Sequence, residues 1–208
     1  TDHRLGRRGQ GAMYFVRGDE GVGRFLEGRK FRPEERDVDV GFGRKFRVRR
    51  QGGGVAVFDV DELISTSLGS GDYRSIGSAF PIVVLLNVGG LSLRRHNEAR
   101  RFITLVDELY EARARLVVEA DAAAGDIFEK GGGTDAAEET AREDDVSTLF
   151  KGVQSGTMRS IDVRPSGGGA AVGELASVRE LRWAFGRAES RLREMTSAAW
   201  WEQHGGYE

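Results

Sequence analysis

Ile82-Val83-Val84-Leu85-Leu86, then Asn97-Glu98-Ala99-Arg100-Arg101-Phe102-Ile103-Thr104-Leu105-Val106-Asp107-Glu108-Leu109-Tyr110-Glu111, then Arg115-Leu116-Val117-Val118-Glu119-Ala120 are the three pieces whose reading decides the fold class. The first is an apolar, β-branched run between Pro81 and Gly89-Gly90, the composition of a buried strand. In the second, Ala99, Phe102, Ile103, Val106, Leu109 and Tyr110 recur at three- and four-residue spacings and share one helical face. Asn97 offers an N-cap, and Glu98 sits where the helix dipole favours a negative charge. The third is apolar through Leu116-Val117-Val118. Strand, helix and strand at this spacing make a right-handed crossover of a parallel sheet. The class is therefore α/β.

Outward from that unit, Val38, Val40 and Phe42 alternate with their neighbours, as do Phe46 and Val48 beyond Gly43, the signature of a β-hairpin. Gly52-Gly53-Gly54 reads as a turn and Val55 to Phe58 as a short strand. Asp59 or Asp61 can cap a helix through Glu62-Leu63-Ile64. Asp72 can cap a second helix running to Phe80, with Tyr73 as a core aromatic. Residues 17–37 alternate glycine with charge and read as loop. Residues 1–12 are rich in Arg and Gly and become helical only if docked, and Met13 to Val16 starts a short strand or closes a helix. Near the other end, Leu181, Phe185, Ala188, Leu192 and Met195 form the apolar face of a last helix over 176–201, with Trp200 and Trp201 pinning its end.

Residues 121–175 differ in kind. They hold Gly131-Gly132-Gly133, Gly167-Gly168-Gly169, an acidic run and almost no aromatics. Such a segment buries too little apolar surface to offset its ordering entropy, so it reads as a disordered insertion with a short helix near 136–142 and a transient dock at Val146 to Phe150. Three regions follow: 1–120, the insertion 121–175, and the terminal helix 176–208.

Composition sets the outer bounds. The 208 residues are 39% hydrophobic and 31% charged, enough for one domain with a real core. With no cysteine, disulfides and thiolate metal sites are excluded, and His3, His96 and His204 lack ligand spacing. No run approaches the roughly 20 apolar residues of a membrane span. The net charge of −2 conceals an asymmetry: residues 1–50 carry fourteen basic against eight acidic side chains, and residues 121–150 two against nine. The basic end lacks the interleaved aromatics of a stacking platform, so nucleic acid is disfavoured as a partner.

The word Asn97 to Glu111 closely resembles a segment of the lactation-elevated, or ATPase-family-gene-one-like, ATPases of mitochondria, whose bacterial relatives are the Z-ring-associated ATPases, ZapE. Asp61-Glu62-Leu63, Leu68-Gly69, Asp72-Tyr73, Ile76 and Phe80 resemble the family's "F-x-E-L-C … L-G-x-x-D-Y … I-A … F" stretch. Gly43-Arg44-Lys45-Phe46-Arg47-Val48 is similar to its "G-R-x-L-x-V" hairpin. Asp2-His3-Arg4-Leu5 with Tyr14-Phe15 resembles "D-Y-R-L … Y". Trp183-Ala184-Phe185-Gly186-Arg187-Ala188 and Ser190-Arg191-Leu192-Arg193-Glu194-Met195 resemble "F-A-F-x-R-A-x-S-R-L-x-E-M". The resemblance covers residues 1–120 and 176–202. It departs at Ile64, where the family has Cys, at Gly89 in place of a Pro, at Pro81, and at His3 in place of Tyr.

The resemblance implies the C-terminal portion of a P-loop, AAA-like ATPase, with a β-hairpin, a strand-helix-strand unit and a long C-terminal helix. It also implies ATP and Mg²⁺ as cofactors of the complete protein, none being expected for this chain alone. A P-loop needs G-x-x-x-x-G-K-[ST] to cradle phosphates, and no such string occurs here. Gly18 to Arg24 is glycine-rich but lacks the Lys-Ser/Thr pair, and Val57 to Glu62 only imitates the Asp-Glu strand that holds Mg²⁺. The chain also begins with Thr rather than Met, so the expectation is a C-terminal half whose catalytic half lies upstream, inactive alone. P-loop ATPases often bring an arginine to the γ-phosphate. Arg187 and Arg191, one turn apart on one face, are the candidates for a lid arginine. Arg100 and Arg101 are candidates for contact with a neighbouring subunit. Ion pairing on a helix surface is the alternative for all four. Glu98, Asp107 and Glu108 lie on a charged face and form no acid/base pair. The implied partners are the missing N-terminal ATPase half, protein substrates and further copies of the chain. The implied setting is mitochondrial protein quality control, the alternative being a bacterial-type cytoplasm. A different class of function remains: a non-enzymatic protein-interaction module from a split or truncated gene.

Overall fold

The structure, a computed structural model, describes residues 12–91, 95–128 and 168–205. The chain divides into a unit of residues 1–130 with 179–208 and a second of 131–178, whose described part is the helical backbone from Gly168 onward. The first unit is built on β1 (Tyr14–Val16), α1 (Gly21–Gly28), β2 (Glu34–Gly41), β3 (Arg44–Gly52), β4 (Val55–Asp59), α2 (Val60–Ile64), α3 (Ser70–Ala79), β5 (Ile82–Val88), α4 (His96–Glu111) and β6 (Arg115–Ala120). Helix α5 (Gly168–Met195) and α6 (Ala198–His204) follow.

One six-stranded sheet runs in the order β1-β6-β5-β4-β3-β2. Strands β4, β5, β6 and β1 are parallel, with Val55 beside Ile82, Ile82 beside Arg115, and Tyr14 beside Val118. Strands β4, β3 and β2 are antiparallel, so the sheet is mixed. Both hairpins close through two residues with positive φ, Phe42 (53°) with Gly43 (73°) and Gly53 (56°) with Gly54 (76°). That is the requirement of a type I′ turn, whose twist matches the flanking strands.

The strands bury both faces, and their side chains alternate between two clusters. Ala56, Phe58, Val83, Leu85, Leu116 and Val118 point to the larger cluster, roofed by α2, α3, α4 and α5. Val55, Val57, Ile82, Val84 and Val117 point to the smaller one, covered by Val22, Phe25 and Leu26 of α1 and by Trp201. Phe102, Leu105, Val106 and Leu109 of α4 are fully buried. Helix α3 lies so close to α4 that a Cβ on Gly77 would stand 2.8 Å from the Cβ of Ala112. The five apolar positions of α5 are buried as their spacing predicts. Trp200 Nε1 donates to the carbonyl of Ala114 (3.1 Å), and Trp201 Nε1 is shared between those of Met195 (3.1 Å) and Leu116 (3.3 Å), which seats α6 against the end of α5 and the start of β6.

Several expectations change. Residues 17–37 are not all loop: they hold α1 and the start of β2. Glycine and charge dominate the composition there, but Val22, Phe25 and Leu26 have helical spacing and a sheet face to cover. Asn97 is not the N-cap of α4; Arg95 occupies that place, and Asn97 falls in the first turn. Asp72 is the third residue of α3, not its cap, and its carboxylate reaches back to the backbone N–H of Gly69 (2.9 Å). Packed chain continues past residue 120, because Ala124, Ile127 and Phe128 are buried and the N–H of Leu91 donates to the carbonyl of Ile127 (2.6 Å). Phe128 stacks on Phe185 with ring centres 4.9 Å apart, so it joins this segment to α5. The last helix starts at Gly168 rather than 176. The N-terminal element at Asp2 to Leu5, the body of the insertion, the short helix near 136–142 and the stretch Val146 to Phe150 lie outside the described residues.

Candidate functional site

Helix α4 carries the charged face against which α5 places two of the four candidate arginines. Arg187 donates to Asp107 Oδ2 (3.0 Å), and Arg191 donates to Asp107 Oδ1. Arg191 also lies 3.6 Å from Glu111 and its guanidinium covers the ring of Tyr110 at 4.7 Å. One carboxylate thus draws both cations to the α4–α5 seam, the helix-surface pairing weighed against the lid role. Arg101 donates to the carbonyl of Ile64 (2.9 Å), where a cation suits the negative end of α2. Arg100 points elsewhere. It lines a groove of about 340 Å³ with Ile103, Thr104, Asp107, Glu180 and Arg187. Arg100 and Arg187 therefore share one groove, whereas Arg101 does not line it.

A second polar cluster escaped sequence reasoning. Parallel strands end on one edge, and in open α/β sheets that carboxyl edge is where ligands bind. Here it gathers Arg17 after β1, Asp59 closing β4, Asn87 in β5 and Asp121 after β6. Arg17 bonds Asp121 (2.9 Å) and Asn87 Oδ1 (3.1 Å), and Asn87 Nδ2 donates to Asp59. Asn87 has φ +57° at a register slip between Leu85 and Val88, so a bulge re-aims its side chain at the edge. These groups satisfy one another. The available signal was Asn87 interrupting an apolar run, but the four positions are too far apart in sequence to be grouped without the sheet order.

Neither cluster assembles a nucleophile with a base. The Ser70 hydroxyl and Arg74 (2.9 Å) hold the Glu108 carboxyl below its ordinary pKa against the opposing effect of burial. Burial pushes the Tyr73 phenol up to about 12, and its hydroxyl donates to the Leu63 carbonyl (3.1 Å). Burial likewise raises Tyr14, which donates to the carbonyl of Ala122 (2.8 Å). These groups tie elements together. Among the described residues no three His, Cys, Asp or Glu side chains stand where they could share a metal ion. Nor is any helix among them long and apolar enough to cross a membrane.

Comparison with known proteins bears on these clusters. Residues 25–142 match the family described as AFG1-like ATPase. That stretch runs from α1 past β6 and includes Arg100 and Arg101. It stops short of Arg187 and Arg191, although the sequence resemblance extended to both ends of the chain. Over 160 residues, 76% of this chain, the protein is 30% identical to Lactation elevated protein 1 homolog B of Danio rerio, of which this covers 28%. Over 168 residues, 81% of this chain, it is 26% identical to an uncharacterized protein of Schizosaccharomyces pombe, of which 33% is covered. A shorter stretch of 58 residues is 40% identical to Cell division protein ZapE of Escherichia coli, covering 28% of this chain and 16% of that one. The chain thus spans no more than a third of the length of these curated relatives. No solved structure matches it.

Proposed function

Because the chain belongs to the AFG1-like ATPase family, we propose that it is part of an ATP-hydrolysing protein, and that it is a part other than the one that cradles the nucleotide. One observation carries this reading: the family match spans most of the sheet, yet no G-x-x-x-x-G-K-[ST] occurs in the 208 residues. Among the described residues, the sheet's carboxyl edge does not fit Mg²⁺-ATP, since its carboxylates are engaged by Arg17 and Asn87. ATP and Mg²⁺ are then held by the remainder of a longer protein. Calorimetry on the 208-residue chain with ATP and Mg²⁺ tests this. No saturable binding is expected, and a Kd tighter than about 100 μM overturns the proposal.

In this reading the chain acts with an N-terminal ATPase half, on protein substrates, in a homo-oligomer. Its setting is mitochondrial protein quality control rather than a bacterial-type cytoplasm. Arg100 is the candidate for reaching a neighbouring subunit, and Arg187 and Arg191 act on nucleotide only if they leave Asp107. ATP turnover by the complete protein separates these roles. Arg100→Ala abolishes it if Arg100 reaches phosphate, whereas loss in Arg187→Ala with none in Arg100→Ala moves the role to the α4–α5 seam.

A second reading is favoured by the buried clusters on both sheet faces, with Phe58, Tyr73, Phe80 and Phe102 all at 1% exposure or less. A unit with its own core can serve as a protein-interaction module without the ATPase half. Sedimentation of the purified chain tests it: a monodisperse species supports a self-sufficient module, and aggregation relieved by the ATPase half rejects it.

A further inference from the structure

Two large apolar side chains among the described residues stand in solvent, Phe42 and Trp183. Phe42 has only Gly41 and Gly43 beside it at the hairpin tip. Trp183, 79% exposed, stands on α5 next to the groove of about 340 Å³ against α4, which Ile103, Leu181 and Ala184 line on its apolar side. Tryptophan and arginine around a small apolar surface are the enriched anchors of protein interfaces. We propose that this face of α4 and α5 docks on the same face of a second copy of the chain, about a two-fold axis that sets each helix antiparallel to its counterpart.

The arrangement of charge points to a second copy. Asp107 of α4 meets Arg187 of α5, and Tyr110 meets Glu194 (3.1 Å), so the two helices run side by side in the same direction. About two turns before the first of these pairs, Arg100 and Glu180 line the other end of the groove. One end thus carries its cation on α4 and its anion on α5, and the other end carries them the other way round. A half-turn about an axis across the helices lays Glu180 on Arg187 of the second copy and Arg100 on Asp107 of the second copy, and each pair recurs by symmetry. Contacts inside each copy need not break, because a carboxylate oxygen accepts more than once and a guanidinium offers several N–H groups. The helix dipoles favour the same axis. They are aligned within one copy, and a half-turn across the helices sets them against those of the second copy, whereas a half-turn along the helices would align all four.

Trp183 sits where that axis falls. With Ala184 it lies midway between Glu180 and Arg187 in the sequence, so the two indoles meet about the axis, each against Ala184 of the other copy. Gly186 has nothing within 4 Å of a Cβ, which leaves the approach beside Trp183 open. Each indole removes about 150–250 Å² from water, the centre of a modest interface. This gives the homo-oligomer of the proposed function a surface. The association needs no nucleotide, so either reading can fail without the other.

Sedimentation equilibrium of the 208-residue chain without nucleotide tests the proposal. The chain is expected to be mostly monomer at about 1 μM and mostly dimer at about 100 μM. Trp183→Ala is expected to weaken the dimer about tenfold or more, and Phe42→Ala to leave it unchanged. Glu180→Arg and Arg187→Glu are each expected to disrupt it, and an equimolar mixture of the two to restore it, because every contact between the two α5 helices then joins opposite charges. A monomer at about 100 μM overturns the proposal. So does association of any order that Trp183→Ala or Glu180→Arg leaves intact, or a mixture that stays monomeric although both variants melt like the native chain.

Discussion

Phe42 is the residue least at ease in this structure. It is 102% exposed and held at φ +53° at a hairpin tip, between Gly41 and Gly43. A side chain costs about 1–2 kcal/mol in that conformation, and no apolar contact offsets it here. Phe42→Gly is expected to raise stability by about 0.5–1 kcal/mol, read from the urea midpoint at unchanged slope. Asp107 is the opposite case, one carboxylate serving Arg187 and Arg191. Asp107→Asn is expected to cost about 1 kcal/mol, with strong non-additivity when combined with Arg187→Ala. Glu108 links stability to pH. Its folded-state pKa is lowered, so its contribution is present above the unfolded carboxylate pKa and is lost as pH falls through the folded one. The stability difference between the native protein and Glu108→Gln should therefore shrink between about pH 5 and about pH 3 in a denaturation series.

Two glycines in helices carry opposite meanings at the scale of elements. Gly23 in α1 has nothing within 4 Å of a Cβ, whereas Gly77 in α3 has Ala112 at 2.8 Å and Leu109 at 3.2 Å. Gly23→Ala is expected to stabilise by up to about 1 kcal/mol through helix propensity. Gly77→Ala is expected to destabilise by about 1–3 kcal/mol by pushing α3 off α4. Ala112→Gly should recover part of that loss in thermal melts of the double variant. The same elements show what was legible in the sequence. Strand β5, α4 and β6 were readable because each has a long, single period and lies next to its partner along the chain. Helix α1 was not, because Gly21, Gly23 and Gly28 with charged neighbours hide three apolar residues whose purpose is a sheet face not yet built. Neither Arg95 nor Gly69 supplies a capping side chain, and at Gly69 the contact comes back from Asp72 inside the first turn, so the polar residues nearby misplaced both helix starts. Arg187 and Arg191 were correctly grouped by their spacing. Their carboxylate is some eighty residues away and could not be paired with them from the sequence.

Across the whole molecule, α6 acts as a fastener. Trp200 is 6% exposed, bonds the Ala114 carbonyl, and stacks on Tyr110 of α4 at 4.8 Å. Trp200→Ala is expected to cost about 3–5 kcal/mol and Trp200→Phe less, seen in chemical denaturation. The carboxyl-edge cluster was illegible because Arg17, Asp59, Asn87 and Asp121 come together only once distant segments meet in the sheet. The sheet order has a further consequence for synthesis. Strand β1 is made before all the other strands of this sheet, yet its neighbour there is the last of them, β6, with Tyr14 beside Val118. At roughly 5–20 residues per second a ribosome takes several seconds to lay down the chain between them. Through that interval Tyr14, Phe15 and Val16 wait without β6, and a chaperone that holds short apolar segments on nascent chains would find them before β6 does.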